Sequence, residues 1–265
     1  MISSAEIKKL SELKDRQGRR DQNLFLIEGV RSITEALEND AGLRRIIVSL
    51  GANSEKFARL YSMASEQGIE IEEVPATKFR KLRTTETSQG IIAVASIPTI
   101  TLEDFVSELR SMRAATVLLL DRISDPGNLG TILRSAAWFG VDGVLIAGNS
   151  VDVYNPKVVR SAMAAVLRLK MVQEVDLKES IQELKKFGFA VVAAELDGKT
   201  SCFDYEFPSK LAMVFGSEAS GISSDIARLC ETSVSIPRVG KMESLNVGVA
   251  ASIVMAEASR KRGHP

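Results

Sequence analysis

The chain has 265 residues, 45% hydrophobic and 26% charged, which suits one or two globular domains with a sizeable core and excludes wholesale disorder. Lys and Arg total 34 against 34 Asp and Glu, so a histone-like polycation is excluded, although a local basic patch on a neutral protein is not. A single histidine (His264) excludes His-based metal sites and Ser-His-Asp triads, Cys202 and Cys230 suit a reducing cytoplasm rather than a disulfide framework, and no apolar run approaches the roughly 20 residues that span a bilayer.

Residues 1–20 (MISSAEIKKLSELKDR and on) are polar, do not read as a signal peptide, and predict an amphipathic helix with Ile7, Leu10 and Leu13 on one side. LFLIEGV (24–30) predicts a buried strand, 31–39 a helix, 44–50 a strand, 54–67 a helix closed by Gly68, and 69–74 a short strand before Pro75. A polar, basic stretch, ATKFRKLRTTETSQG (76–90), leads into a strand at 91–97. This alternation predicts an α/β unit over 1–98, ended by Pro98, then a linker at 99–113 holding one helix, and a second domain at 114–265.

The second half predicts strands at 116–120, 143–147, 189–194, 211–215 and 233–236, with helices at 128–139, 155–168, 177–187, 222–230 and 244–260. The strands are short continuous apolar runs, as expected for a parallel sheet covered on both faces. Ligands of such sheets sit beyond the carboxyl ends of the strands, which directs attention to the loops after 120, 194, 215 and 236.

Three of these segments carry candidate chemistry. In LLLDRISDPGNLGTILRSAAWFG (118–140), a strand ends at Asp121 and a turn leads to Asn128, placed to cap a helix that Gly140 closes. Arg134 follows one turn in, which sets a cation beside an anion-binding helix start; an ordinary cap with a surface arginine reads equally from the residues alone. In VFGSEASGIS (214–223), Gly216 and Gly221 flank Glu218, and the glycines permit positive φ or close approach of a ligand, although a plain strand–helix turn would look the same. In SIPRVGKMESLNVGVAASIVMAEASRKRG (235–263), a loop with Arg238 and Lys241 precedes a helix that Ser244 is placed to cap. Its body is apolar almost all round and predicts burial in a core or an oligomer interface, which Asn246 fits poorly. DGKTS (197–201) fails as a phosphate loop because Ala193 stands where glycine is needed, and no GxGxxG follows the first strand.

Together, in order and spacing, the three segments resemble the motifs of the SpoU (TrmH-type) branch of the SPOUT methyltransferases: PGN-x-G…R…FG, then FG-x-E-x-x-G, then IP…SLNV…A. NPKVVRSAMAAVLRL (155–169) resembles the helix between the first two, with Ala164 or Ala165 where a glycine is common, and Gly248 stands where the family often has Ser. FLIEGVRSITEAL and TETSQGIIAV resemble the family's accessory substrate-binding domain, a smaller ribosomal-protein-like α/β unit.

The resemblance implies a carboxy-terminal α/β SPOUT domain with a parallel sheet and a deep trefoil knot, a rare departure from unknotted topology. It implies S-adenosyl-L-methionine as cofactor, held by Ala194, Gly216, Ile236 and Leu245, and methylation of a ribose 2′-hydroxyl in RNA, with ribosomal RNA favoured by the accessory domain. Asn128, Arg134, Glu218, Ser244 and Asn246 are the matching catalytic positions. Guanidinium is effectively never deprotonated, so Arg134 reads as a phosphate grip and alkoxide stabiliser, with Asn128 orienting Arg134 or the ribose, Ser244 and Asn246 shaping the pocket, and Glu218 joining the loops. A cytoplasmic homodimer through the first and third motifs is also implied, with neither membrane nor DNA as partner. RNA contacts fall to two basic clusters, Arg19 and Arg20 with their neighbours, and Lys78, Arg80, Lys81 and Arg83. The competing readings are a non-catalytic RNA-binding or ribosome-assembly factor, a tRNA methyltransferase, and a different small-molecule α/β enzyme.

Overall fold

The computed structural model describes residues 2–39, 41–52 and 57–262; His264 and the predicted start of the 54–67 helix lie outside them. In chain order the elements are α1 (Ser4–Ser11), a 3-10 turn (Glu12–Lys14), α2 (Arg16–Gln22), β1 (Leu24–Glu28), α3 (Val30–Glu38), β2 (Leu43–Ser49), α4 (Ala58–Glu66), β3 (Glu70–Val74), α5 (Ala76–Leu82) and β4 (Ile91–Ser96). There follow α6 (Leu102–Arg110), β5 (Ala115–Asp121), α7 (Pro126–Trp138), β6 (Gly143–Ala147), α8 (Pro156–Ala162), α9 (Ala165–Arg168), β7 (Met171–Val175) and α10 (Leu177–Lys186). The chain ends with β8 (Ala190–Ala194), β9 (Thr200–Ser201), β10 (Lys210–Gly216), α11 (Ser224–Ala227), β11 (Thr232–Ser235) and α12 (Val247–Lys261).

The first compact unit comprises residues up to Pro98 together with Asp152–Arg168. Its sheet runs β1-β4-β2-β3, with β2 and β3 parallel and the other pairs antiparallel. The expected helix over 1–20 breaks: Asp15 is extended (φ −98°, ψ 149°), and α2 packs back so closely that a Cβ at Gly18 would lie 2.1 Å from the Glu12 carbonyl oxygen. Ile7, Leu10 and Leu13 bury against Leu26, Ile47, Ile92 and Val94 of the sheet. The basic stretch after Pro75 is helical as α5, because Phe79 and Leu82, at helical spacing, bury in the same core while Arg80 and Lys81 stay outside. The predicted helix 155–168 is two helices, broken at Met163 (φ 54°); α8 lies against β1, and the Tyr154 ring packs 4.6 Å from Phe25.

The second unit comprises Thr99–Val151 and residues from Leu169 on. Its sheet is parallel throughout, in the order β7-β6-β5-β10-β8-β11-β9. The stretch expected to be a linker holds α6, whose Phe105, Val106 and Leu109 bury with Val117, Val191 and Leu184, so 99–113 begins the second core rather than connecting two domains. α12 packs on α7 and β10. β5, β6 and β7 run outward one after another, after which the chain jumps to β8, leaving a gap that β10 later fills. Such a switch point is where open α/β sheets bind ligands. From β11 the chain returns across β8 and β10 to α12, and the threading that the resemblance implies would lie in this return.

Two helices are capped by residues other than those expected. α7 begins at Pro126, and Asp125 caps it by accepting the Asn128 N–H at 2.9 Å. Asn128 is thereby freed from capping and sits inside the first turn. α12 begins only at Val247, where Asn246, not Ser244, caps it: its Oδ1 accepts the N–H groups of Gly248 (3.0 Å) and Val249 (3.3 Å). Gly248 lets this helix end approach α7, since a Cβ there would lie 3.1 Å from the Thr131 side chain.

Candidate active site

A cavity of about 730 Å³ opens at the carboxyl ends of β8, β10 and β11, within the range of small-molecule sites. All four residues expected to hold a cofactor line it. Ala194 ends β8, Gly216 ends β10, Ile236 follows β11, and Leu245 lies in the last loop. Phe215 and Val254 extend its apolar wall, whereas Glu195, Asp197 and Glu218 add carboxylates. Glu195, Asp197 and Arg238 also line it and are not among the expected cofactor residues, although the sequence marks Arg238 as part of the last loop. Their signal in the sequence was only their place in loops after the strands at 194 and 236. Arg238 braces its loop by donating to the carbonyls of Met242 (3.2 Å) and Glu243 (3.4 Å).

Three of the five expected catalytic positions join in one hydrogen-bond chain. Asn246 Nδ2 donates to Asn128 Oδ1 at 2.8 Å, across 118 positions of sequence, and Asn128 Nδ2 donates to Glu218 Oε1. Each amide is oriented at both ends: Glu218 can only accept, so Asn128 must present its nitrogen there and its oxygen to Asn246, whose own oxygen receives the start of α12. The chain links the first turn of α7, the loop after β10 and the cap of α12. Glu218 and Ser244 line the cavity, Ser244 exposed in the loop before the cap. Arg134 is exposed on α7 and is not part of the cavity wall, so the fold does not draw it into the chain.

The loop that carries Glu218 is held by its glycines. A Cβ at Gly216 would lie 2.2 Å from the backbone of Gly221, which itself has φ +63° and donates its N–H to the Ser217 carbonyl at 2.8 Å. Thiol chemistry is disfavoured: burial pushes Cys230 up to about 11 and also raises Cys202. Among the described residues no cluster of His, Cys, Asp and Glu is built to hold a metal ion, and no helix is long and apolar enough to cross a membrane.

The expected RNA contacts in the first unit separate. Arg19 is a correction: it is 2% exposed, pairs with Asp152 at 2.6 Å, and donates to the carbonyls of Leu13 (2.9 Å) and Lys14 (2.8 Å). A guanidinium so enclosed fastens the 152–168 segment and does not reach a phosphate. Lys78 is half-buried and donates to the Ile2 carbonyl at 2.8 Å; Arg83 is half-buried and donates to the Glu86 carbonyl at 2.9 Å. Arg20, Arg80 and Lys81 are exposed. Nearby, burial lowers the Lys14 ammonium, with Glu28 opposing and Arg83 adding to the effect.

Comparison with known proteins gives these features a family. The SpoU rRNA Methylase family matches residues 115–256, and the MRM3-like substrate binding domain matches residues 4–93. A Staphylococcus haemolyticus protein classed with the TrmH family tRNA/rRNA methyltransferases is 32% identical over 240 residues, covering 90% of this chain and 96% of its own. A crystal structure of an RNA 2′-O ribose methyltransferase superposes with TM-score 0.83 at 31% identity, covering 98% of this chain and 97% of its own. The SpoU methyltransferase AviRb of Streptomyces viridochromogenes, solved with AdoMet, gives TM-score 0.85 at 28% identity, covering 98% of each chain. The parallel sheet with three linked loops at its switch point therefore defines an RNA methyltransferase. The chain belongs to the SpoU (TrmH-type) family of these enzymes.

Proposed function

We propose that this chain transfers a methyl group from S-adenosyl-L-methionine to a ribose 2′-hydroxyl of ribosomal RNA, as a cytoplasmic homodimer. The observation that carries this reading is the hydrogen-bond chain Asn246–Asn128–Glu218 set beside the cavity of Gly216, Ile236 and Leu245. The residues present fit the cofactor: Ile236 and Leu245 offer apolar contact to a flat base, and Glu195 and Asp197 offer carboxylates to a cationic ligand. S-adenosyl-L-methionine, when bound, supplies a methyl carbon activated by its sulfonium.

The protein's task is then alignment and charge. Asn128 and Asn246, fixed by Glu218, hold one wall rigid so that the incoming hydroxyl meets a preset geometry. Arg134 grips the adjacent phosphate and stabilises the alkoxide as its proton leaves to water; a permanently charged, planar guanidinium suits that role and not that of a base. Ser244 shapes the cavity rim. Arg20, Arg80 and Lys81 contact RNA phosphates. Trp138, 83% exposed on α7, and Val249, 45% exposed on α12, anchor the partner protomer. The return from β11 to α12 is threaded as a deep trefoil knot.

Tritiated methyl transfer tests the reading, with ribosomal RNA and tRNA offered separately and the product digested to locate the label. Label on a ribose of ribosomal RNA is expected. Label on tRNA corrects the substrate, and label on a base corrects the reaction. RNA binding without transfer would leave only a binding factor. Light scattering that gives a monomer would remove the dimer.

A further inference from the structure

Asp121 is a buried carboxylate, 4% exposed, to which the reading above gives no role. It ends β5 and pairs in register with Gly216, the cavity residue that ends β10. Its Oδ2 accepts the Ser223 N–H at 2.7 Å, and its Oδ1 accepts Arg122 Nε at 3.3 Å. Arg122 has φ 59°, a left-handed conformation that non-glycine residues adopt at a cost. That turn sends its guanidinium back to donate from Nη2 to the Gly221 carbonyl at 3.2 Å.

The loop from Gly216 to Ser223 is therefore tied twice. Asp121 holds its far end at Ser223, and Arg122 holds Gly221, which closes the small bridge with Ser217. Gly216, Gly221 and Ile222 of this loop line the cavity, and Glu218 at its tip orients Asn128. We propose that Asp121 and Arg122 form a positioning pair that sets the shape of the 216–223 loop for binding the methyl donor. This rests on the function proposed above and names residues outside its machinery. A carboxylate that merely satisfied a buried amide would need neither the strained arginine nor its second bond to the loop.

The experiment measures S-adenosyl-L-methionine affinity by calorimetry, KM for donor and for RNA separately, and Tm, for the full chain and for Arg122→Ala, Arg122→Lys and Asp121→Asn. Arg122→Ala is expected to weaken donor affinity and raise donor KM by about tenfold, the scale of a lost charge-assisted hydrogen bond, with RNA KM and Tm unchanged. Arg122→Lys should recover part of the loss, and Asp121→Asn should match or exceed it. Unchanged donor affinity in Arg122→Ala, or equal loss in both KM values with a lowered Tm, would overturn the pairing. The half-exposed Arg122 keeps the test decisive even if Asp121→Asn fails to fold. If the unaltered chain itself binds no donor, the proposed function fails and this inference with it; if it binds and the variants match it, only this inference fails.

Discussion

The candidate polar residues of the two units end in different surroundings. In the second, Asn128, Glu218 and Asn246 come from distant segments and meet in one chain of hydrogen bonds at a cavity. In the first, neighbours in one basic run end in different surroundings: Lys78 turns in to a backbone carbonyl while Arg80 and Lys81 face outward. The contrast teaches that a polar residue set among glycines, a proline and a strand end carries positional information. A bare run of charge does not, because helical periodicity sends its members to different faces.

The comparison breaks most sharply at Arg134, which the proposed function assigns to the site by its motif position and which makes no bond to the chain of amides. Arg134→Ala should lower kcat by about 10²–10³-fold, the usual cost of removing one group that stabilises developing negative charge. Arg134→Lys should recover little of it, with Tm unchanged in both; near-normal turnover in the lysine variant would remove the special role of the planar fork. Arg19 gives the complementary case, a residue expected at the RNA and found in the interior. Arg19→Ala removes the buried guanidinium that pairs with the half-buried Asp152 and satisfies the Leu13 and Lys14 carbonyls, and should destabilise the first unit by about 3 kcal/mol, read by urea denaturation. Loss of RNA affinity at full stability would instead return Arg19 to the surface.

How far the site was legible follows from these particulars. β6 was placed to the residue, and β5, β8, β10 and β11 to within a residue at either end, because parallel strands buried on both faces are continuous apolar runs. β7 was not, since Met171–Val175 mixes Gln and Glu into an edge strand. The sequence points to Asn128 and Asn246 but not to the caps of their helices: Asp125 and Asn246 compete locally with Asn128 and Ser244, and only the fold shows which side chain meets the free amides. Arg19 failed for the same physical reason, because its partner Asp152 lies 133 positions away.

The outward residues of the basic run sharpen the contrast from the other side. Replacing both Arg80 and Lys81 by Gln should weaken RNA binding several-fold and make the plot of log affinity against log salt shallower by about 1.5, as two phosphate contacts are lost. Donor affinity should not change. The same double change at Lys78 and Arg83 should leave the salt slope nearly as it was, because their cationic groups already serve backbone carbonyls. Equal slopes for the two double variants would mean that the whole run faces RNA, Lys78 and Arg83 included.

The smallest effect tests whether the first unit is as loosely determined as its basic residues suggest. Glu28 indicates that it is not. Burial opposes its ionisation, yet hydrogen bonds from Ser88, from the Thr84 hydroxyl and N–H, and from Thr85 outweigh that and hold its carboxyl below the ordinary range. A group whose folded pKa lies below its unfolded one stabilises above the unfolded value, about 4.3 for Glu, and loses that contribution as pH falls through the folded value. Stability of the chain should therefore decline on acidification through and below that point, in part because of Glu28. In Glu28→Gln the decline should be measurably flatter, with lower stability at neutral pH where the charged acceptor is missed. The same hydrogen bonds fix the turn that follows α5, so the variant should also loosen hydrogen exchange at Thr84 and Thr85. An unaltered pH profile in Glu28→Gln would mean that the carboxylate is not held by these hydroxyls, and the turn after α5 would then owe its shape to something other than Glu28.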